Sequence, residues 1–327
     1  MAGITGARAI RCSWVEAGST AGLTVDDADR VPLEREPPLP CSAVARGRVV
    51  ALLLALAASV SATGCTVGGS ERDAAPAIPE EELVEPGALT ACTDATRPPL
   101  EYRGQDGVLR GFEVELVDEI ADRLGLQPVW LETSRAEVGR ALVAGRCDVA
   151  ASTLAVRRDL GGRLAPFATT AYLSVPLSLL VRNGERPLAV AGLCGLRVGV
   201  FSGTREEDVL GEYGDVCSAR GRPALEMVGV AGTPGVLALL RAGRLDAVLA
   251  EHPVNEWFAR RQTDRFDLAW VLGDEVVRWA IGTRPGRNGV FSAVRSELRD
   301  LERDGTFRML LERWALDRTG AVLLPFT

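Results

Sequence analysis

The six residues Ala144-Gly145-Arg146-Cys147-Asp148-Val149 return further along the chain as Ala242-Gly243-Arg244-Leu245-Asp246-Ala247. In both places a glycine ends an apolar stretch of helical period, and a short apolar run suited to a buried strand follows. One joint made twice constrains the fold to two similar α/β halves. The surrounding pattern agrees. In the first half, strands are predicted at 88–93, near 128–131 and at 147–151. Helices are predicted over Val117, Ile120, Ala121 and Leu124, closed by Gly125, and near 136–144. The second half repeats the order, with strands at 196–201, 225–230 and 245–250 and helices from about Arg205 and at 234–242. Short strands alternating with such helices make mostly parallel sheets covered on both faces. The end of the chain is helical. Phe291, Val294, Leu298 and Leu301 share one face, Gly305 interrupts, and Phe307, Leu310, Leu311 and Trp314 share another; all read as core.

A leader lies ahead of this body. Arg46 and Arg48 precede a run from Val49 to Val60 that is apolar except for Ser59, and Ala62-Thr63-Gly64 leads into Cys65. At about 1.5 Å rise per residue the run is too short for a hydrocarbon core of about 30 Å. Its charged start and small-residue end resemble a bacterial lipoprotein signal peptide, here residues 44–64. That resemblance implies cleavage before Cys65, a diacylglycerol on its thiol, and a protein anchored on the extracytoplasmic face of the cell membrane by lipid alone. Residues 1–43 are Pro-rich, mixed in charge and without periodicity, and read as an extension ahead of a true start at Val44. Residues 65–87, with Gly68-Gly69-Ser70, Pro76, Pro79, Glu80-Glu81-Glu82 and Pro86, read as a flexible linker. The body then divides into a first lobe at 88–180, completed by 284–327, and a second at 181–283.

Composition excludes several chemistries. The chain of 327 residues is 47% hydrophobic and 25% charged, enough for a sizeable core once leader and linker are set aside. All 37 basic residues are arginine, so neither a Schiff-base lysine nor a phosphate-loop lysine exists. A single histidine, His252, gives little support to imidazole metal sites or Ser/His/Asp hydrolysis, and neither metal nor cofactor is expected. A net charge of -7 argues against nucleic acid, whose binding needs a basic stripe. Beyond Cys65 stand Cys92, Cys147, Cys194 and Cys217, one pair in each half. In an oxidising compartment these are expected to form two disulfides within the lobes, and no CxxC spacing points to a metal.

Five ordered segments then carry a family resemblance. They are Asp94-Ala95-Thr96-Arg97-Pro98-Pro99-Leu100-Glu101-Tyr102, Gly111-Phe112-Glu113-Val114-Glu115-Leu116, and Val198-Gly199-Val200 with Gly203-Thr204. Asp246 through Glu251-His252-Pro253-Val254, and Gly305-Thr306-Phe307 to Trp314, complete the set. Together, over about Leu89 to Leu316, the chain resembles the extracellular solute-binding proteins of family 3, which serve ABC importers of polar amino acids. The resemblance implies a two-lobed α/β fold of the periplasmic-binding-protein type II. It also implies crossover strands near 179–182 and 279–283, and a monomer that closes on a small polar zwitterion and hands it to a permease. Ligands gather at the carboxyl ends of parallel strands, where helix N-termini converge. The candidate binding residues at such ends are Asp94, Arg97, Ser152 and Thr153 in lobe one and Phe201, Ser202, Gly203, Thr204, Arg205 and Glu251 in lobe two. Ser202-Gly203-Thr204 opens a helix and suits a carboxylate, and Glu251 stands where the family sets an acidic residue against the ligand's ammonium.

Two departures stand out. Arg97 replaces the family's stacking aromatic, either to pair with an acidic group of the ligand or to point to solvent. Leu160 stands where the carboxylate-clamping arginine belongs, so either Arg157 or, foremost, Arg158 takes that part, or the ligand is held differently. A binding protein and not an enzyme is the expectation. The alternatives are a periplasmic dehydratase-like enzyme, for which Glu251 beside His252 is the one acid/base pairing, and a degenerate ligand-free sensor or accessory protein.

Overall fold

The computed structural model describes residues 78–155, 167–185, 192–202, 204–230 and 232–325. The N-terminal extension, the leader and Cys65 lie outside the described residues. The body begins with β1 (Ala88–Thr93) and a small antiparallel sheet of β2 (Thr96–Arg97), β3 (Glu101–Arg103) and β4 (Leu109–Arg110). Then come α1 (Phe112–Arg123), β5 (Gln127–Glu132), α2 (Arg135–Val143), β6 (Val149–Ala155) and the long β7 (Ala168–Arg182). The second lobe holds β8 (Arg197–Phe201), α3 (Arg205–Ala219), β9 (Glu226–Val230), α4 (Thr233–Arg241), β10 (Ala247–Glu251) and α5 (His252–Arg261). The long β11 (Phe266–Thr283) returns to the first lobe, which α6 (Asn288–Asp304), α7 (Thr306–Arg313) and β12 (Val322–Leu323) complete.

The main sheet runs β5-β1-β6-β11-β7-β10-β8-β9. Its two ends, β5-β1-β6 and β10-β8-β9, are parallel, while β7 and β11 pair antiparallel through the middle. This is the expected two-lobed type II arrangement. The crossover strands are much longer than the segments predicted for them, at 15 and 18 residues, because each continues from one lobe's sheet into the other's.

The repeated joint does the same work twice. Gly145 and Gly243 have φ of +72° and +66°, the left-handed conformation that ends α2 and α4. Asp148 then accepts the N–H of Thr90 in β1 at 2.9 Å, and Asp246 accepts the N–H of Arg197 in β8 at 2.8 Å. Each aspartate ties the incoming strand to its parallel neighbour. The disulfides Cys92–Cys147 and Cys194–Cys217 form within the lobes as predicted, the first beside the Asp148 joint.

The face of α1 carrying Val117, Ile120 and Ala121 is buried, as its period required. Trp279, Tyr172, Phe112 and Phe307 form a buried aromatic group with ring centroids 5.8 to 6.5 Å apart. Fully burying each such side chain contributes about 1.5 to 3 kcal/mol. One boundary needs correction: the linker expected through Gly87 ends earlier. Leu83 is buried, Val84 N–H donates to Asp148, and Glu82 accepts the N–H groups of Gly289 and Val290 at the start of α6. The acidic run reads as a solvated spacer, yet one of its carboxylates caps a distant helix.

Candidate functional site

The ends of β1, β6, β8 and β10 meet the start of α2 and α3 along the seam between the lobes. Arg97, in the two-residue β2, reaches across it to Glu251 at the end of β10, Nη2 to Oε1 2.6 Å. Each side chain is only 1% exposed. Arg135, the first residue of α2, lies 3.8 Å from the same carboxylate oxygen, and its Nη1 donates to Ser152 O at 3.4 Å. The ring of Phe201 lies 5.9 Å from both guanidinium carbons. Burial works against an ionised Glu251, but the charge and hydrogen bond of Arg97 outweigh it and hold the carboxyl below the usual range. Burial lowers the Arg97 guanidinium too, and the charge and hydrogen bond of Glu251 reverse that and keep it charged.

A second carboxyl adjoins this pair. Glu206, in the first turn of α3 and 1% exposed, is pushed up to about 8 by burial and by the charge of Glu251. It therefore holds its proton at neutral pH and donates it in a hydrogen bond to Glu251. Lobe one has its own buried polar chain. Asp94 N–H donates to Ser152 Oγ at 3.3 Å, whose hydroxyl donates to Glu101 at 3.2 Å. Burial first, then the charge of Glu113, raises Glu101 far above the carboxylate range, and Tyr172 donates to Glu113.

The predicted residues thus divide. Asp94, Arg97, Ser152, Phe201 and Glu251 come together at the seam, although Ser152 spends its hydroxyl inside lobe one. Asp94 is nearly buried, which raises its carboxyl, and its Oδ1 accepts from Thr96 at 2.9 Å. Thr204 Oγ1 donates back to Phe201 O at 2.6 Å, closing the turn into α3. Ser202 is exposed and packs on Gly229, where an added Cβ would sit 2.4 Å from its Oγ. Arg205 turns away from the seam to Glu212 and Glu275 at 3.1 and 3.2 Å. Arg157, Arg158 and Gly203 lie outside the described residues, as does the side chain of Thr153 in β6. Arg135, Glu206, Glu101 and Glu113 were not singled out as site residues. Glu101 and Glu113 stand inside the motifs quoted above, whereas Glu206 reads as one more acidic residue in a helix's first turn.

An opening of about 370 Å³ remains at the mouth of the seam, lined by Asp94, Thr96, Glu132 and Arg135 of lobe one and Gly232 of lobe two. A separate groove of about 370 Å³ runs along the crossover strands and includes His252, Pro176, Val276 and Arg318. Glu251 and His252 are adjacent in sequence yet serve these two different places. Among the described residues, no group of three or more His, Cys, Asp or Glu side chains is placed to hold a metal ion. No described helix is long and apolar enough to cross a membrane.

A model of the bacterial extracellular solute-binding proteins, family 3, matches residues 89–317. The L-cystine-binding protein TcyJ of Escherichia coli K12 is 28% identical over 236 residues, covering 71% of this chain and 84% of that one. The arginine-binding protein ArgT of Corynebacterium glutamicum is 25% identical, over 74% of this chain and 78% of its own. Among solved structures, a mutant of ArgBP from T. maritima superposes with a TM-score of 0.61 at 24% identity, over 70% of this chain and 95% of that one. The fold, the ordered motifs and the length of the match agree, and the chain belongs to the bacterial extracellular solute-binding proteins, family 3.

Proposed function

We propose that this chain is a lipid-anchored solute-binding protein that captures a small polar zwitterion, an amino acid and foremost an acidic one, for an ABC importer. The observation that carries this reading is the seam itself, where strand ends of both lobes bring guanidiniums and carboxyls to one water-poor place. Groups of both signs are what a zwitterion needs, and they act more strongly once closure removes water. Relatives named for binding cystine, arginine and histidine support the ligand class. On this reading the solute is held between the closed lobes, and its differential affinity for the closed over the open state fixes how tightly it is kept. Arg157 and Arg158 remain the proposed carboxylate clamp, and Cys65 the proposed point of lipid attachment, on the cell's outer face.

A thermal-shift screen of the twenty amino acids tests the proposal. A true ligand at 100 times its Kd stabilises the protein by about 2.7 kcal/mol and is recovered unchanged. Metabolic labelling with palmitate, absent in Cys65→Ala, tests the anchor. A second reading, the ligand-free sensor or accessory protein, is favoured by one observation: Glu251 already has a cation from its own chain. No response to any amino acid, with the fold intact, selects it. The dehydratase-like alternative is weakened, because the lone imidazole lines the groove along the crossover strands and not the seam. Product formation from a bound solute would restore it.

A further inference from the structure

A carboxylate removed from water requires a cation, and for Glu251 of lobe two that cation is Arg97 of lobe one. Their bridge crosses the seam, and each side chain is only 1% exposed. Other contacts cross with it. Phe201 of lobe two lies against the guanidiniums of Arg97 and Arg135, and Tyr102 of β3 meets Trp257 of α5 with ring centroids 5.6 Å apart. Arg135 adds its own reach to Glu251 at 3.8 Å. The lobes are therefore joined by two ion pairs that share Glu251, two cation–ring contacts and an aromatic pair.

We propose that Arg97 is an intramolecular ligand of the cleft: it holds the lobes shut with no solute bound, and a solute that brings a cationic group to Glu251 binds only by displacing it. Only the second half rests on reading the cleft as a solute site. The first half concerns the conformation of the solute-free chain. The physical basis is the near balance of a buried ion pair. Its Coulombic gain roughly offsets the cost of removing two charges from water, so the bridge sets the closed geometry without making it irreversible. Removing one partner is different, since the other charge is then stranded unless the lobes part and readmit water. Arg97 is thus a specificity-determining residue, because any cation entering must outcompete a guanidinium already tethered beside its carboxylate.

The test measures lobe separation in the solute-free protein, with spin labels on Val108→Cys in lobe one and Met227→Cys in lobe two, both exposed positions. The unmodified site is expected to give one short distance, unchanged by amino acids or by methylguanidinium. Arg97→Ala is expected to shift the pair to a longer distance, and millimolar methylguanidinium to restore the short one. Arg97→Lys keeps a cation and stays short, whereas Arg97→Ala combined with Glu251→Gln loses the response to methylguanidinium. Such rescue at Glu251 separates a ligand-like role from loss of packing. Should Arg97→Ala fail to fold, Arg97→Gln is read in the same way. A solute-free protein already at the long distance overturns the proposal, and so does an Arg97→Ala variant that stays shut. A chain that is shut without solute supports it whatever the amino-acid screen finds, so the two readings fail separately.

Discussion

Raising the pH from 6.5 to 8 is expected to weaken the folded state, and Glu206 is one reason. Its carboxyl has an ordinary value of 4.5 and stands at about 8 in the fold, so between those limits the folded chain holds a proton that the unfolded chain has released. Stability changes with pH in proportion to protons bound by the unfolded chain minus those bound by the folded one, and here the difference is negative. Each pH unit in the window therefore removes about 1.4 kcal/mol, and the effect levels off above the folded value. Glu101, raised by burial and by Glu113, pulls in the same direction. His252 pulls the other way, because burial holds its imidazole below 6.5 and the unfolded chain takes up the extra proton. That opposing contribution is at half strength at 6.5 and fades over the next pH unit. Glu251 is depressed and contributes a constant there, its stabilisation being lost only as pH falls below 4.5. From pH 6.5 to 8 Glu206 alone accounts for about 1.6 kcal/mol, the slope halving by the upper limit. Urea unfolding at a series of pH values, with disulfides intact, measures the slope. Glu206→Gln keeps the shape and a donor toward Glu251 but cannot titrate, so its slope should be smaller by about 1.4 kcal/mol per pH unit. Equal slopes in the two proteins would refute the shared proton.

Three further outcomes rest on separate parts of the structure. Replacing Cys92 and Cys147, 55 residues apart, with serine should cost about 4 kcal/mol by loop-closure entropy, read from the urea midpoint of the non-reduced protein. Gly111→Ala should cost about 3 kcal/mol or more, because Gly111 has φ +139° and an added Cβ would lie 2.1 Å from Leu100 O. Its circular dichroism melt is the check, and an unchanged Tm would contradict the placement of the turn into α1. Glu82→Ala should cost about 1 kcal/mol by uncapping α6, with faster amide exchange at Gly289 and Val290 as the local signature.

Much of the architecture was legible because it follows from local rules. The glycine joints at Gly145 and Gly243, the stop at Gly305 and the apolar faces of α1 and α6 are decided by backbone conformation and periodicity, which act over a few residues. The cysteine pairing was legible for a similar reason, since each pair belongs to elements that neighbour one another within a lobe. The lengths of β7 and β11 were not, because their pairing spans both lobes and leaves no local period. The acidic Glu80-Glu81-Glu82 resembles a spacer by composition, and only the arrival of α6 beside it turns Glu82 into a cap.

At the site, the sequence by itself determined which groups stand at strand ends: Arg97 after β1, Ser152 in β6, Phe201 at the end of β8 and Glu251 at the end of β10. It also determined that the position of the stacking aromatic is held by arginine. Only the tertiary structure decided what that arginine does. Whether a guanidinium meets solvent, a solute or a carboxylate depends on which surface closes over it, and Glu251 is more than a hundred residues away on another lobe. Likewise Glu206 becomes a neutral acid only because burial and the charge of Glu251 outweigh the opposing pull of Arg97. Charge state follows desolvation and neighbours, and both are properties of the folded assembly of strands.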